Sequence, residues 1–124
     1  MGTWLQPLLG SKMKLIGSTI EEQYKRELGE GDRYLLEERG DPRLLDVLHR
    51  EIGAVESVYF LSGYKLSDYR YCNLLVNGTT ICQVEMSDGK FEAFSTIDIS
   101  EYKKGLKKRS QIKLQVAVEL AALK

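Results

Sequence analysis

Histidine occurs once in this chain, cysteine and proline twice each, and net charge not at all, since eighteen lysines and arginines face eighteen aspartates and glutamates. Any Ser-His-Asp or Cys-His arrangement would have to be built around His49. Asp46 and Leu45 stand three and four residues before it on an expected helix, and no nucleophile sits on a G-x-S-x-G elbow, so it reads as a solvated helix histidine. Cys72 and Cys82 do not have metal-ligand spacing, and 124 residues bury roughly two thirds of their unfolded surface without a disulfide framework. Reduced thiols, no metal and no cofactor are therefore expected. No apolar run approaches the ~18–20 residues that span a bilayer, and Trp4–Leu9 is too short and broken for a secretory core. A cytoplasmic protein with no membrane partner follows. With zero net charge there is no global field toward nucleic acid, although residues 1–60 carry eight basic and eleven acidic side chains and residues 61–124 carry ten and seven.

What is present is one domain's worth of amphipathic pattern. Residues 1–12, broken by Gly2, Pro7 and Gly10 ahead of a second methionine at Met13, read as a leader or a cloning remnant, leaving 13–124 as a single α+β domain. Ser18-Thr19-Ile20-Glu21 has capping-box spacing. Ile20, Tyr24 and Leu28 recur on one face up to Gly29, predicting a helix over 19–28. Asp32 to Arg39 adds a further turn or two before Gly40. Asp41-Pro42 starts a second helix over 42–52, with Leu44, Leu45, Leu48 and Ile52 as its stripe and Gly53 as its stop.

From Ala54 to Ile97 the period becomes strand-like. Val55–Leu61 is the first expected strand, and Ser62–Asp68 a loop. Tyr69–Val76 and Thr79–Met86 flank Asn77-Gly78, and Asp88-Gly89 leads into Phe91–Ile97, which gives a four-stranded antiparallel meander. A two-residue Asn-Gly turn pairs Val76 with Thr79, Leu74 with Ile81 and Cys72 with Gln83, placing Cys72 and Cys82 on opposite faces. The face with Tyr71, Leu75, Cys82, Val84, Met86, Phe91 and Ala93 is then the more apolar, and the one helices should cover. Asp98 to Gly105 resembles a short helical turn. Gln111–Leu123 is so widely apolar that a C-terminal helix buried between the sheet and the N-terminal helices is expected.

Four features are candidate sites. Tyr59, Tyr64, Tyr69 and Tyr71 crowd around the Ser62–Asp68 segment with Lys65; tyrosine offers large area, few torsions and a hydroxyl, which suits a partner-binding surface. Lys103, Lys104, Lys107, Lys108 and Arg109 put five positive charges into seven residues, a phosphate or nucleic-acid contact or a counterweight to the acidic half. Glu85 and Glu92 fall opposite each other in a two-residue Asp88-Gly89 register, where like charges need compensation. Glu21-Glu22, Glu37-Glu38, Asp41, Asp46 and Glu51 have no motif spacing and form a solvated face. No catalytic constellation emerges, so the chain is not expected to be an enzyme.

Met13-Lys14-Leu15-Ile16-Gly17-Ser18 running into Ile20-Glu21-Glu22, together with Tyr102-Lys103-Lys104-Gly105-Leu106 and Gln111-Ile112-Lys113-Leu114, resembles small orphan immunity proteins of bacterial polymorphic toxin and contact-dependent inhibition systems. The resemblance covers the two ends of the chain, and its motifs are structural. It implies a cytoplasmic protein that binds and blocks one cognate toxin domain, with no active-site residue carried over. The alternative is a nucleic-acid or phosphate-ligand binder using the 103–109 cluster, and homo-oligomer formation stays open.

Overall fold

The computed structural model describes the backbone of residues 9–88 and 91–124 and the side chains from Thr19 onward. Most of the expected 1–12 leader, and the tip of the Asp88-Gly89 turn, lie outside these residues. In chain order the elements are α1 (Leu9–Leu36), α2 (Pro42–Glu51), β1 (Val58–Leu66), β2 (Tyr69–Val76), β3 (Thr80–Ser87), β4 (Glu92–Ile97), α3 (Ile99–Lys104) and α4 (Lys108–Ala122). The fold is α+β, with a four-stranded antiparallel meander in the order β1-β2-β3-β4.

The helix expected over 19–28 is the middle of a much longer one, with Ser18 inside it and Gly29 and Gly31 spanned without a break. A glycine inside a helix costs about 1 kcal/mol. Burying Leu28 and Leu35, both nearly inaccessible, outweighs that at roughly 1.5–3 kcal/mol each. Gly31 also lets α1 approach the sheet, since a Cβ there would stand 2.9 Å from the Phe60 ring. The helix ends at Leu36, short of the expected stop at Gly40. Arg39 adopts φ 51°, the Gly40 amide donates to the Tyr34 carbonyl, and the Tyr34 hydroxyl donates back to the Gly40 carbonyl at 2.8 Å. The Asp41-Pro42 start of α2 is as expected: the Asp41 carboxylate accepts from the Leu44 N–H at 3.2 Å, with Pro42 in the first turn.

Both hairpin registers differ from expectation by one residue. Val76 pairs with Thr80, Leu74 with Cys82 and Cys72 with Val84, because the turn takes three residues, Asn77 and Gly78 with φ 56° and 75° followed by Thr79. Cys72 and Cys82 therefore share a face and a hydrophobic cluster, correcting the opposite-face expectation. Across the next turn Glu85 pairs with Ala93 and Met86 with Glu92, so Glu85 and Glu92 lie on opposite faces and never confront each other.

The expected Ser62–Asp68 loop is strand. β1 runs to Leu66 and turns to β2 through Ser67-Asp68 alone. A bulge at Leu61 lets Phe60 pair with Leu74 and Ser62 with Asn73, which explains why Val58 to Gly63 shows no clean alternation. Helices cover both faces of the sheet, where the sequence pointed to one. Leu35 and the α2 residues Leu44, Leu45, Val47 and Leu48 pack on the face with Cys72, Leu74, Val76, Cys82 and Val84. Leu28 of α1 and Leu114, Val116 and Ala117 of α4 pack on the face with Tyr59, Leu75 and Ile81. Tyr71, Leu75 and Ala93 thus face away from Cys82, Val84 and Met86. Burial of α4 is one-sided: Leu114, Val116 and Ala117 are buried, while Gln115, Glu119 and Ala122 are exposed, as is Leu123 just past its end.

Candidate functional site

On the α4 side, the sheet changes character row by row because the true register aligns like with like. Leu75, Ile81 and Ile97 form an apolar row under α1 and α4. The next row, Ser62, Asn73, Gln83 and Ser95, is polar across all four strands. Beyond it lie Tyr64, Tyr71 and Glu85, then Leu66 and Tyr69 at the open end.

The polar row is hydrogen-bonded along its length. Asn73 donates to the Ser62 hydroxyl at 2.9 Å, and Ser62 in turn meets the Tyr102 hydroxyl of α3 at 3.3 Å. The Tyr71 hydroxyl donates to the Asn73 side-chain carbonyl at 3.0 Å and accepts from Gln83 at 3.2 Å. Gln83 also donates to Asn73, and Ser95 donates to Gln83. Asn73, nearly inaccessible, is the hub, and such a network fixes the orientation of the Tyr71 ring above it.

The rings beyond the row form the candidate site. The Tyr64 ring centroid lies 6.0 Å from that of Tyr69 and 5.6 Å from that of Tyr71, both tilted. Tyr69 donates its hydroxyl to Glu85, and this bond to a carboxylate, with lesser help from desolvation, pushes the Tyr69 hydroxyl pKa far up. Tyr69 is thus held as a neutral donor. Tyr64 is 53% and Leu66 63% exposed, so the cluster offers an apolar, aromatic surface whose lower rims are already fixed.

The other expected site residues separate. Tyr59 belongs to the core, 3% exposed against Leu28 and Leu114, and cannot touch a partner. Lys65 points from the opposite face of β1, directly across from Arg70. Lys103 and Lys104 end α3, Lys107 precedes α4, and Lys108 and Arg109 begin it. All five are exposed, and only Lys104 has a described ion pair, with Glu101. Tyr102 just before this segment reaches Ser62, and Lys113 one turn after it lines a groove with Tyr64 and Tyr71. The basic segment therefore begins and ends at the border of the tyrosine face. Glu92 accepts from Arg43 and Arg50 of α2, which hold its carboxyl below the usual range, and His49 places Nδ1 3.1 Å from the Gly53 carbonyl at the end of α2. The solvated carboxylates include two with fold duties, Asp41 as helix cap and partner of Arg70, and Glu51 beside Arg50.

The sequence reading missed Ser62, Asn73, Gln83 and Ser95, because the one-residue register error scattered them over two faces. It also missed Leu66, Tyr102 and Lys113. Among the described residues, no group of three His, Cys, Asp or Glu side chains could hold a metal ion, and no helix is long and apolar enough to cross a membrane.

Neither thiol is a nucleophile at neutral pH. Burial pushes Cys72 and Cys82 up to about 11, and the thiolate is the reactive form. A thiol reagent such as dithiobisnitrobenzoate at pH 8 is expected to leave both unmodified in the native protein and to modify both in denaturant. Native-state labelling should rise only as the pH approaches 11. Rapid modification at pH 8 without denaturant would mean that this sheet face opens readily.

No family model, no curated protein and no solved structure matches the chain.

Proposed function

We propose that the chain is a protein-binding module of the immunity type, which holds and neutralises a cognate toxin domain through its tyrosine face. The observation that supports this most directly is the Tyr64–Tyr69–Tyr71 cluster over a hydrogen-bonded polar row. Aromatic anchors whose torsions are already restricted lose little entropy on docking. Charge adds to the argument: the basic 103–109 segment borders the face and would steer an acidic surface toward it.

The test is co-expression with the polypeptide encoded by the neighbouring reading frame. The expected result is a stable pair, relief of that polypeptide's toxicity, and affinity at least tenfold weaker for Tyr64→Ala combined with Tyr69→Ala, given the usual weight of buried aromatic anchors. Unchanged affinity removes the tyrosine face as the site, and undiminished toxicity removes the immunity reading. The competing reading has one observation in its favour: Lys103, Lys107, Lys108 and Arg109 have no described ion pair. An oligonucleotide bound with a steep salt dependence would favour it.

A further inference from the structure

We infer that the outer half of β1 takes up an acidic, extended segment of the partner as an added strand. The inference rests on the protein-binding reading above and supplies its mode. β1 is an edge of the sheet, and past the bulge all of Ser62–Leu66 is exposed.

The backbone there is unpaired on one side. The two-residue turn at Ser67-Asp68 makes Leu66 and Tyr69 a hydrogen-bonded pair. Alternation along an antiparallel ladder then directs the N–H and C=O groups of Tyr64 and Ser62 toward β2, and those of Gly63 and Lys65 away from it. No described backbone group pairs with that free side. An incoming strand would therefore find two donors and two acceptors in register.

Charge selects the strand. Lys65 lies directly opposite Arg70, and like charges at paired positions destabilise a ladder. Asp41 compensates Arg70, whereas Lys65 has no partner among the described residues. Lys65, Arg70 and Lys113 all line an open groove of about 480 Å³ at this edge with no carboxylate among its lining residues, while Lys65 and Arg70 also line a smaller cavity with Asp41, Asp68 and Asp88. A second copy of the chain fits badly where the two-fold pairing centres on Tyr64 or Lys65, since that would set each Lys65 diagonal to or opposite its mate. Lysine on an edge strand guards against such self-pairing. The same lysine favours a strand whose acidic residues meet Lys65 on one face while alternate apolar residues meet Tyr64 and Leu66 on the other.

The test uses the isotopically labelled full chain and two capped peptides, one alternating valine with glutamate and the other valine with lysine. At low salt the glutamate peptide is expected to shift the Gly63 and Lys65 amide resonances and to slow their hydrogen exchange, with the lysine peptide at least tenfold weaker. Lys65→Glu is expected to reverse that preference and, by setting a carboxylate opposite Arg70, to leave thermal stability equal to or slightly above that of the parent. No response at Gly63 and Lys65 at millimolar glutamate peptide, equal response to both peptides, or amides already protected in a dimer of the free chain would each overturn the inference. If it fails while Tyr64→Ala with Tyr69→Ala still weakens the cognate pair, the protein-binding reading stands and only the strand-addition mode falls. Should both fail, the reading falls with it.

Discussion

Replacing Asp32 with alanine is expected to lower the unfolding free energy by about 3 kcal/mol, one of the largest single-site losses outside the apolar core. Asp32 sits in α1 only 6% exposed, and two distant parts of the chain converge on it. Its Oδ1 accepts the N–H of Val58, the first residue of β1, at 2.8 Å. Its Oδ2 accepts from the Lys124 ammonium, which also donates to the Glu56 carbonyl at 3.1 Å. Alanine leaves a buried strand amide without an acceptor, which carries that group's desolvation cost, and an exposed lysine without its counterion. Asp32→Asn keeps an acceptor for Val58 but discards the charge, so about half the loss is expected. Lys124→Ala should cost less than Asp32→Ala, and a double-mutant cycle in urea should return a coupling of about 1 kcal/mol or more. Additive losses would show that Lys124 and Asp32 act independently.

Nothing near Asp32 in the sequence announces this role. It falls in an expected extra turn of helix between Gly31 and Arg33, and its partners are 26 and 92 residues away. Local rules saw what local geometry decides: Asp41-Pro42 opening α2 and Asn77-Gly78 reversing the chain. They failed where a distant contact outweighs a local preference. Leu28 and Leu35 carry α1 through two glycines because the burial they gain exceeds the helix cost. Asn77 does more than supply a positive φ. Its side-chain carbonyl accepts from the Glu56 N–H at 2.7 Å, and its amide donates to the Ala54 carbonyl at 2.9 Å, clamping the segment that enters β1.

The site was legible in kind but not in arrangement. A cluster of tyrosines marked the candidate stretch, and Tyr64, Tyr69 and Tyr71 do meet on one face. Tyr59 and Lys65 were grouped with them by proximity in sequence, and the period-two alternation with the Leu61 bulge sent one into the core and the other to the far face. The polar row under the rings was invisible because register is a single integer per hairpin, and an error of one moves every side chain to the wrong side. Pairing Asn73 with Gln83 and Ser95 would have shown it at once.

Gly63 is where fold and site meet, and Gly63→Ala is expected to cost about 2–3 kcal/mol, as overpacking does when the obstruction cannot move aside. A Cβ there would stand 2.4 Å from the Tyr71 carbonyl oxygen and 3.0 Å from the Cys72 Cα. Both obstructing atoms are backbone of β2, so relief requires β1 and β2 to part just where Tyr64 pairs with Tyr71. The substitution should therefore loosen the aromatic cluster as well as destabilise the chain, seen as faster hydrogen exchange at Tyr64 and Leu66, whose amides point into the β1–β2 ladder. Gly29→Ala is the matched control. Gly29 lies inside α1 with nothing within 4 Å of a Cβ, and alanine there is expected to stabilise by about 0.5–1 kcal/mol through helix propensity alone. Opposite signs from one chemical change at two glycines would show that close strand approach, and not glycine's flexibility, is what β1 requires. Equal and small effects would mean that β1 and β2 stand further apart at this point, and the ordered tyrosine face would lose its footing.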